Sequence, residues 1–210
     1  MYVPAHFKSE DLTQLDWLAG HDAFGTLISQ VQGTPFASHL PVLYRREGNT
    51  VVLSGHWARP NAQWHDIEGQ RALCIFHGPH AYISPRWYVE PQKHVPTWDY
   101  AVAHVYGPVR VIREAAELEP IVASLASNYE AGAANPWTLA GSNPGNRQML
   151  RGIVGFELRA DEVQLKFKLN QNHPAGNIRG AIDGLRASGG EDSLAVASLM
   201  EAAQVRAMRD

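Results

Sequence analysis

Residues 54–64 concentrate side chains that can bind an anion. Within eight positions the sequence supplies a hydroxyl, an imidazole, a guanidinium and an amide, from Ser54, His56, Arg59 and Asn61. A guanidinium can hold a phosphate through two parallel N–H groups while neutral donors complete the shell. The segment therefore predicts a phosphate-binding loop. A purely structural loop anchored by its two tryptophans explains the same residues equally well.

A second segment, residues 95–100, places rings at the start of an alternating stretch. Trp98 and Tyr100 fall on one side of a strand predicted over Trp98–Ile112, and Asp99 falls on the other side among small residues. An indole and a phenol each combine an apolar plane with a polar tip, which suits a flat heteroaromatic ligand. Packing in a core or a dimer interface is the alternative.

A third segment, residues 166–173, contains two lysines, two asparagines and a glutamine at a predicted junction between a strand and a helix. Amides and ammonium groups beside a helix N-terminus attract anions. Lys168 and Gln171 are therefore candidate ligand-binding residues. A simple helix cap by Asn172 is the competing interpretation.

Other familiar catalytic patterns are absent from the sequence. It contains none of the glycine-rich nucleotide motifs, the zinc-protease motif or the serine-hydrolase motif. The ten histidines are scattered without metal-ligand spacing, so we expect no metal site. Cys74 lies in an apolar stretch and is expected to be an inert core thiol. The glycine-rich residues 141–146 are expected to form a surface loop.

Length and charge exclude several classes of protein. The 210 residues suffice for one large domain or two small ones, and 18 basic against 21 acidic residues give a net charge of −3. Such a chain lacks the basic character expected of a nucleic-acid binder. One cysteine, the absence of a signal-peptide pattern and the absence of a long apolar run predict a cytoplasmic protein that does not enter a membrane.

The predicted elements are mainly strands with peripheral helices. We expect strands over residues 23–31, 35–44, 50–54, 72–77, 81–84, 98–112, 155–159 and 163–168, with turns at Gly33, 47–49 and 78–79. Helices are predicted over residues 10–18, 118–130, 174–187 and 192–208, with a loop or short helix within 58–69. This pattern favours a β-barrel or sandwich in a single domain, residues 1–210, with an N-terminal helix region (1–20) and a C-terminal helical annex (174–210).

Four groups of residues resemble a known family: Met1-Tyr2-x-Pro4-x-His6-Phe7, Gly55-His56-x-Ala58-Arg59-x-Asn61-x-x-Trp64, Val95-Pro96-Thr97-Trp98-x-Tyr100 and Lys168-Leu169-x-Gln171-Asn172. They are similar to the PaiB-type proteins, which are described as FMN-binding negative transcriptional regulators. The resemblance spans nearly the whole chain. It implies a flavin-binding split β-barrel related to pyridoxamine phosphate oxidases, acting as a homodimer with FMN at the subunit interface.

The resemblance also implies roles for individual residues. His39, Leu40 and Pro41 would lie beside the flavin ring, and Ser54, His56, Arg59 and Asn61 would bind the FMN phosphate. Trp98 and Tyr100 would approach from the partner subunit, and Lys168 and Gln171 would assist. The chain departs from the family pattern at Pro60, Asp99 and Asn170, where alanine, asparagine and serine are commoner. Asp99 adds a negative charge near the expected site.

Three functions follow as hypotheses. The first is an FMN-binding flavoprotein, including an oxidoreductase acting on a small molecule, and the second is a transcriptional regulator. Residues 174–210 carry four arginines against five acidic residues, so direct DNA contact is doubtful and regulation is expected to be indirect. The third is haem binding or breakdown, because some split-barrel relatives handle haem and histidines are plentiful.

Overall fold

The computed structural model describes residues 1–140 and 143–207. Gly141 and Ser142 of the predicted surface loop, and Met208 at the end of the predicted last helix, lie outside these residues. The chain forms two compact units, each built from separate segments. The first comprises Met1–Leu18, His77–Ala103 and Gln164–Asp210, and the second comprises Ala19–Phe76 and His104–Val163. A single domain over residues 1–210 stays a prediction.

Within residues 1–140 and 143–207, nine strands form an antiparallel sheet that is not closed. They are β1 (Lys8–Ser9), β2 (Phe24–Val31), β3 (Thr34–Pro41), β4 (Leu43–Glu47), β5 (Thr50–Ala58), β6 (Arg71–Ile83), β7 (Thr97–Ile112), β8 (Ile153–Arg159) and β9 (Glu162–Lys168). The strand order is β3-β2-β6-β7-β8-β5-β4, and β9 pairs with β1 and β7. The predicted class, mainly β with peripheral helices, is confirmed.

In the described part of the chain, six α-helices accompany the sheet: α1 (Thr13–His21), α2 (Gln63–Asp66), α3 (Ala115–Glu130), α4 (Pro144–Gln148), α5 (Ala175–Ser188) and α6 (Glu191–Ala207). The first begins later than predicted because Asp11 accepts hydrogen bonds from the backbone N–H and hydroxyl of Thr13, which fixes the helix start there. Helices α5 and α6 match the two predicted annex helices. Gly189, at φ 71°, ends α5 in the left-handed conformation.

The predicted turns at Gly33 and at residues 47–49 are confirmed as hairpin turns. Val31 pairs with Thr34 across a two-residue loop in which Gln32 and Gly33 have φ values of 50° and 76°. Two consecutive positive φ angles match the twist of the flanking strands, which is why a glycine is favoured here. The turn sets the register in which His39 lies opposite Thr26.

The predicted turn at Gly78-Pro79 is wrong, because β6 runs through it as one continuous strand. The side chains of Ala72, Cys74 and Phe76 are buried, but beyond Gly78 the buried positions are Pro79, Ala81 and Ile83. The buried face therefore shifts by one residue at the point where the strand passes from the second unit into the first. A Cβ at Gly78 would lie 2.5 Å from Leu18.

Two other strand predictions have different ends in the structure. The segment 35–44 is two strands, because Val42 leaves the ladder and donates its N–H to the carbonyl of Ala23 at 2.8 Å. Strand β5 does not end at Ser54 but continues to Ala58, paired with β8. This strand needs a glycine at position 55, because a Cβ there would lie 2.8 Å from the Phe156 ring.

Each unit buries its own apolar side chains. The core of the second unit centres on Leu27, Leu53, Trp57, Phe76, Phe156 and Leu158, and that of the first on Leu15, Leu18, Leu165, Leu185, Val196 and Met200. In the second core, the rings of Trp57 and Phe156 lie 4.9 Å apart. Burial raises the pKa of Cys74 to about 12, which confirms the expected inert thiol.

Candidate functional site

The predicted phosphate loop begins on one face of β5 in the second unit. Successive β5 side chains alternate, so Val51, Leu53 and Trp57 are buried in the core while Ser54 and His56 lie on the opposite, half-buried face. The strand thus holds the hydroxyl and the imidazole side by side, two residues apart. Pairing with β4 and β8 on both sides makes their backbone rigid.

The imidazole of His56 carries a buried nitrogen without a hydrogen-bond partner. Among the described residues no donor or acceptor reaches its Nδ1. Burial lowers the pKa of His56, so the ring is neutral near pH 7. An unsatisfied buried polar atom costs free energy in the absence of a partner, and a bound ligand is one way to supply that partner.

Arg59 directly follows β5 and holds its guanidinium against the backbone. Nε donates to the carbonyl of Arg151 at 2.5 Å and Nη2 to that of Ile153 at 3.0 Å. Of the five N–H donors of a guanidinium, these bonds occupy two. The positive charge is exposed, and no carboxylate pairs with it among the described residues. Arg59 is thus a fixed cation whose remaining N–H groups can bind a ligand.

Within the second unit, the segment 38–41 at the end of β3 lies against the predicted phosphate loop. The amide of Asn61 donates to Ser38 Oγ at 2.9 Å, and a Cβ at Gly55 would lie 2.9 Å from the carbonyl oxygen of Pro41. Along β3 the side chain of Leu40 points into the core, whereas His39 is exposed and bonds Thr26 through Nδ1 at 3.1 Å. Asn61 also accepts from the N–H of Gln63, so both ends of its amide are engaged.

Sequence reasoning missed the role of Gln63, the first residue of α2. Its side chain is fully buried; Oε1 accepts from the indole of Trp57 at 3.0 Å, and Nε2 donates to Leu27 O and Ser29 Oγ at 3.0 Å each. Trp64 donates to the carbonyl of Arg59 at 2.8 Å. The two tryptophans therefore do anchor the loop, while Ser54, His56 and Arg59 keep capacity to bind a ligand.

The predicted ring-binding residues lie on β7 in the first unit. Trp98 is 54% exposed and Tyr100 is half-buried, both on the outward face of the strand. Two β6 residues that the sequence did not single out complete an aromatic surface: Tyr82 meets the Trp98 ring edge-on at 6.0 Å, and His80 lies 6.1 Å from it. This surface can stack against a flat ring.

Asp99 points to the opposite side of β7 and is fully buried. Its Oδ1 accepts from Lys168 Nζ at 3.2 Å, while Oδ2 has no partner among the described residues. Burial raises the pKa of Asp99 to about 6, although the charge of Lys168 acts in the opposite direction. Lys168 also donates to Thr97 Oγ1 at 2.6 Å and to the carbonyl of Trp98 at 2.5 Å.

Lys168 and Gln171 are both engaged within the protein. The three donors of the ammonium group go to Thr97, Trp98 and Asp99, so Lys168 fastens the end of β9 to the start of β7. Gln171 accepts from the N–H of Leu169 at 2.7 Å and donates to the carbonyl of Phe167 at 2.5 Å. Their contact with a cofactor stays a prediction, since their side chains already serve the fold.

A family comparison decides the affiliation of this chain. Residues 1–162 match the family described as "Putative FMN-binding domain". The chain belongs to this FMN-binding family. The match includes both predicted ligand-binding segments before α3 and ends at the start of β9.

The relatives agree with the resemblance to the PaiB-type proteins. The chain is 32% identical to the protease synthase and sporulation protein PAI 2 of Bacillus subtilis over 203 residues, covering 96% of this chain and 97% of that protein. It is 25% identical to an uncharacterised protein of Emericella nidulans over 241 residues, covering 95% and 96%.

Solved structures share the fold at low sequence identity. A FAD- and haem-binding protein from Mycobacterium smegmatis superposes with a TM-score of 0.60 and 17% identity, covering 87% of this chain and 80% of that one. The flavocytochrome Anf3 from Azotobacter vinelandii gives a TM-score of 0.56 and 13% identity, covering 79% and 72%. The fold of this family member is thus of the split-barrel type.

The side chains fit the cofactor of the family. FMN presents a phosphate, a polar ring edge and a flat ring system, and the chain offers an unpaired guanidinium, an orphaned imidazole nitrogen and exposed aromatic rings for these features. Hydride chemistry, where it occurs, belongs to the flavin itself. In the described part of the chain no cluster of potential metal ligands occurs, and no helix is long and apolar enough to span a membrane.

Proposed function

We propose that the protein binds FMN as a homodimer and influences transcription without contacting DNA directly. Two observations near the end of β5 carry this proposal: among the described residues His56 Nδ1 is buried without a partner, and Arg59, which directly follows the strand, exposes a guanidinium fixed on backbone carbonyls. A fixed cation and an unsatisfied polar atom on a rigid strand are what a phosphate-bearing ligand requires.

In this proposal the two groups of side chains have separate tasks. Arg59, Ser54 and His56 hold the phosphate, and residues 39–41 line the ring. Trp98 and Tyr100 of a second copy of the chain cover the flavin with their exposed rings. Asn61 contributes by holding the loop against Ser38 rather than by donating to the phosphate, since its amide is already engaged.

The charge distribution supports indirect regulation, and the single cysteine fits a reducing compartment such as the cytoplasm. Residues 174–210 hold more acids than arginines, and the whole chain has a net charge of −3. Non-specific affinity for DNA rests on neutralising phosphates with basic side chains. In this chain, basic residues do not outnumber acidic ones. A flavin that reports redox state to another protein needs no such basic surface.

The test is to titrate the purified apoprotein with FMN and to follow quenching of the flavin fluorescence. We expect saturable binding of one FMN per chain. His56→Gln should weaken it about ten-fold, and Arg59→Met by more, because a charge-assisted hydrogen bond contributes about 1.5–3 kcal/mol. Arg45→Met, on exposed β4, is the matched control and should bind normally.

Two results would overturn the proposal. Absence of saturable FMN binding would exclude the flavin function. A Soret band after haem addition that is lost on substituting an exposed histidine, together with no response to FMN, would establish haem as the ligand instead.

A further inference from the structure

A cavity of about 350 Å³ in the first unit lies outside the proposed phosphate loop. Its wall includes His6, His94, His173, Lys93, Lys168 and Asn170, and no carboxylate lines it. This volume is at the lower end of the range of small-molecule sites, which runs from about 300 Å³. His94 lies shortly before β7, and His173 ends the polar segment 166–173 that the sequence analysis singled out.

The orientation of His94 is fixed by a buried amide. Asn177, which is 3% exposed, accepts the N–H of Val89 through Oδ1 at 3.0 Å, so its Nδ2 must face the imidazole. Nδ2 lies 3.1 Å from His94 Nε2. Because an amide nitrogen only donates, Nε2 of His94 is the acceptor and the proton is on Nδ1. His94 is thus held as the neutral tautomer with one N–H donor available.

A second buried group positions His173. The Tyr88 ring packs against His94 at 4.9 Å and against His173 at 5.0 Å, and its hydroxyl bonds the Asn170 amide at 2.9 Å. Asn170 adopts φ 59°, a strained conformation for a residue other than glycine. Strain of this kind persists where the surrounding structure imposes it and is concentrated at functional sites. The cavity wall is therefore a fixed arrangement.

The surroundings of His173 disfavour a positive charge on its ring. Burial, His94 and Lys168 all lower the pKa of His173, in that order of size, so its neighbours oppose a further positive charge. Lys168 is paired with Asp99 beneath it, and Lys93 with Glu90 at 2.6 Å, which limits the cavity to a modest positive charge at neutral pH. Neither ring nitrogen of His173 is bonded to the described residues.

We infer that this cavity binds a small molecule through a carboxylate or phosphate group, with the N–H donors of His94 and His173 as its principal contacts. The described residues hold no group of three potential metal ligands. The neighbours of His173 disfavour a positive charge on its ring. A bound oxyanion offsets this effect with its negative charge. Binding is therefore coupled to protonation of His173 and strengthens as the pH falls.

The coupling involves a defined set of groups. His94 and Lys168 face His173, Tyr88 packs against it, His6 and Lys93 line the same cavity, and Asp99 compensates Lys168. Of these, His173 is the group whose lowered pKa is itself explained by burial and by its neighbours, so it gains its charge only as the pH falls below the ordinary imidazole range. Bound anion should raise the pKa of His173, since an opposite charge nearby favours the charged form.

The experiment uses the full-length protein and follows the imidazole NMR signals, assigned with single His→Gln variants. Benzoate and phenyl phosphate are the charged probes, and benzamide is the neutral probe of matched shape. We expect both anions to shift the His94 and His173 signals saturably, about five-fold or more tightly at about pH 6 than at about pH 7.5. The tighter of the two anions identifies which oxyanion the cavity prefers.

Two variants and one control separate a site from a surface effect. His173→Gln should lower the affinity for the better anion at least about five-fold and abolish its pH dependence. His6→Gln should weaken binding less, and His77→Gln, at an exposed position outside the cavity, should leave it unchanged. Equal binding of benzamide, unchanged binding by His173→Gln, or competition by FMN would each overturn the inference. FMN titrations of the same variants report the flavin site separately.

Discussion

Asp99 is an ionisable side chain at a fully buried position. The side chain is fully buried on the inner face of β7, and only one of its two oxygens has a partner among the described residues. Ionised carboxylates are costly to bury unless they are fully paired and hydrogen-bonded. The single bond to Lys168 offsets part of that cost, which is why burial still raises the pKa of Asp99 to about 6.

This shift predicts a specific pH dependence of stability for Asp99→Asn. Because the pKa of Asp99 rises from 3.8 in the unfolded chain to about 6 when folded, the protonated form stabilises the fold. That contribution is complete below the unfolded pKa and is lost as the pH rises through about 6. Relative to the wild type, the variant should gain about 3 kcal/mol of unfolding free energy between about pH 4 and about pH 7.5.

Urea denaturation at both pH values measures this difference. The exposed Asp183→Asn on α5 is the matched control, and its stability relative to the wild type should not change with pH. A difference for Asp99→Asn that is the same at both pH values would contradict the assignment.

Gln63 supports a second prediction at the residue scale. Its buried amide satisfies the Trp57 indole and the Leu27 carbonyl, so Gln63→Ala leaves both without partners in the core. We expect a loss of about 3 kcal/mol in unfolding free energy, since each unsatisfied buried group costs about 1–3 kcal/mol. Denaturation with urea measures it, and Gln92→Ala, at an exposed position, should change stability by less than about 0.5 kcal/mol.

The burial of a side chain was more predictable from the sequence than its hydrogen-bond partners. The alternation along residues 98–106 places Asp99 on the same side as Ala101 and Ala103, and the structure confirms that this side is buried. Its partner Lys168 is separated from it by 69 residues, and no local pattern connects the two. In the same way, the sequence places Gln63 in a polar loop. Its buried role could not be predicted, because its partners lie on strands distant in the sequence.

At the scale of elements, periodicity predicted most strands but failed where the phase changes. Strand β7 keeps one alternation and was predicted to within one residue, whereas β6 shifts its inward face at Gly78-Pro79 and was divided in two. A glycine and a proline normally mark a turn, so only tertiary packing distinguishes a continuous strand from a turn here. The extension of β5 past Ser54 likewise depends on its pairing with β8.

In α5, close packing against Trp87 opposes the higher helix propensity of alanine over glycine, and this gives a testable prediction. Gly180 and Gly184 lie one turn apart and face Trp87: a Cβ at Gly184 would lie 2.2 Å from the indole, and one at Gly180 would lie 1.9 Å from its carbonyl oxygen. Alanine favours a helix over glycine by about 1 kcal/mol, but the clash costs more. We expect Gly184→Ala to lower the melting temperature by several degrees.

Gly20, near the end of α1, is the matched control. A Cβ there meets no atom within 4 Å, so Gly20→Ala gains helix propensity without a clash and should raise the melting temperature slightly. If both substitutions changed the melting temperature in the same direction, close approach of Trp87 to α5 would not be the cause.

At the scale of the whole molecule, net charge opposes direct DNA binding. With 21 acidic and 18 basic residues, the chain offers no excess of positive charge for phosphate contacts. We expect no change in the fluorescence anisotropy of labelled promoter DNA at about 50 mM salt, even at micromolar protein. A saturable change that weakens steeply with added salt would instead assign the regulatory role to direct contact.

The final prediction links FMN to dimerisation through the exposed ring of Trp98. If a second copy covers the flavin with this ring, FMN binds the dimer more tightly than the monomer and must shift the equilibrium toward dimer by mass action. Sedimentation of dilute protein should show a larger dimer fraction with FMN than without it. Trp98→Ala should weaken both FMN binding and dimerisation, whereas Trp137→Ala, at a residue of similar exposure, should affect neither. A dimer fraction independent of FMN would exclude a flavin bound between two copies, even if each chain still bound FMN.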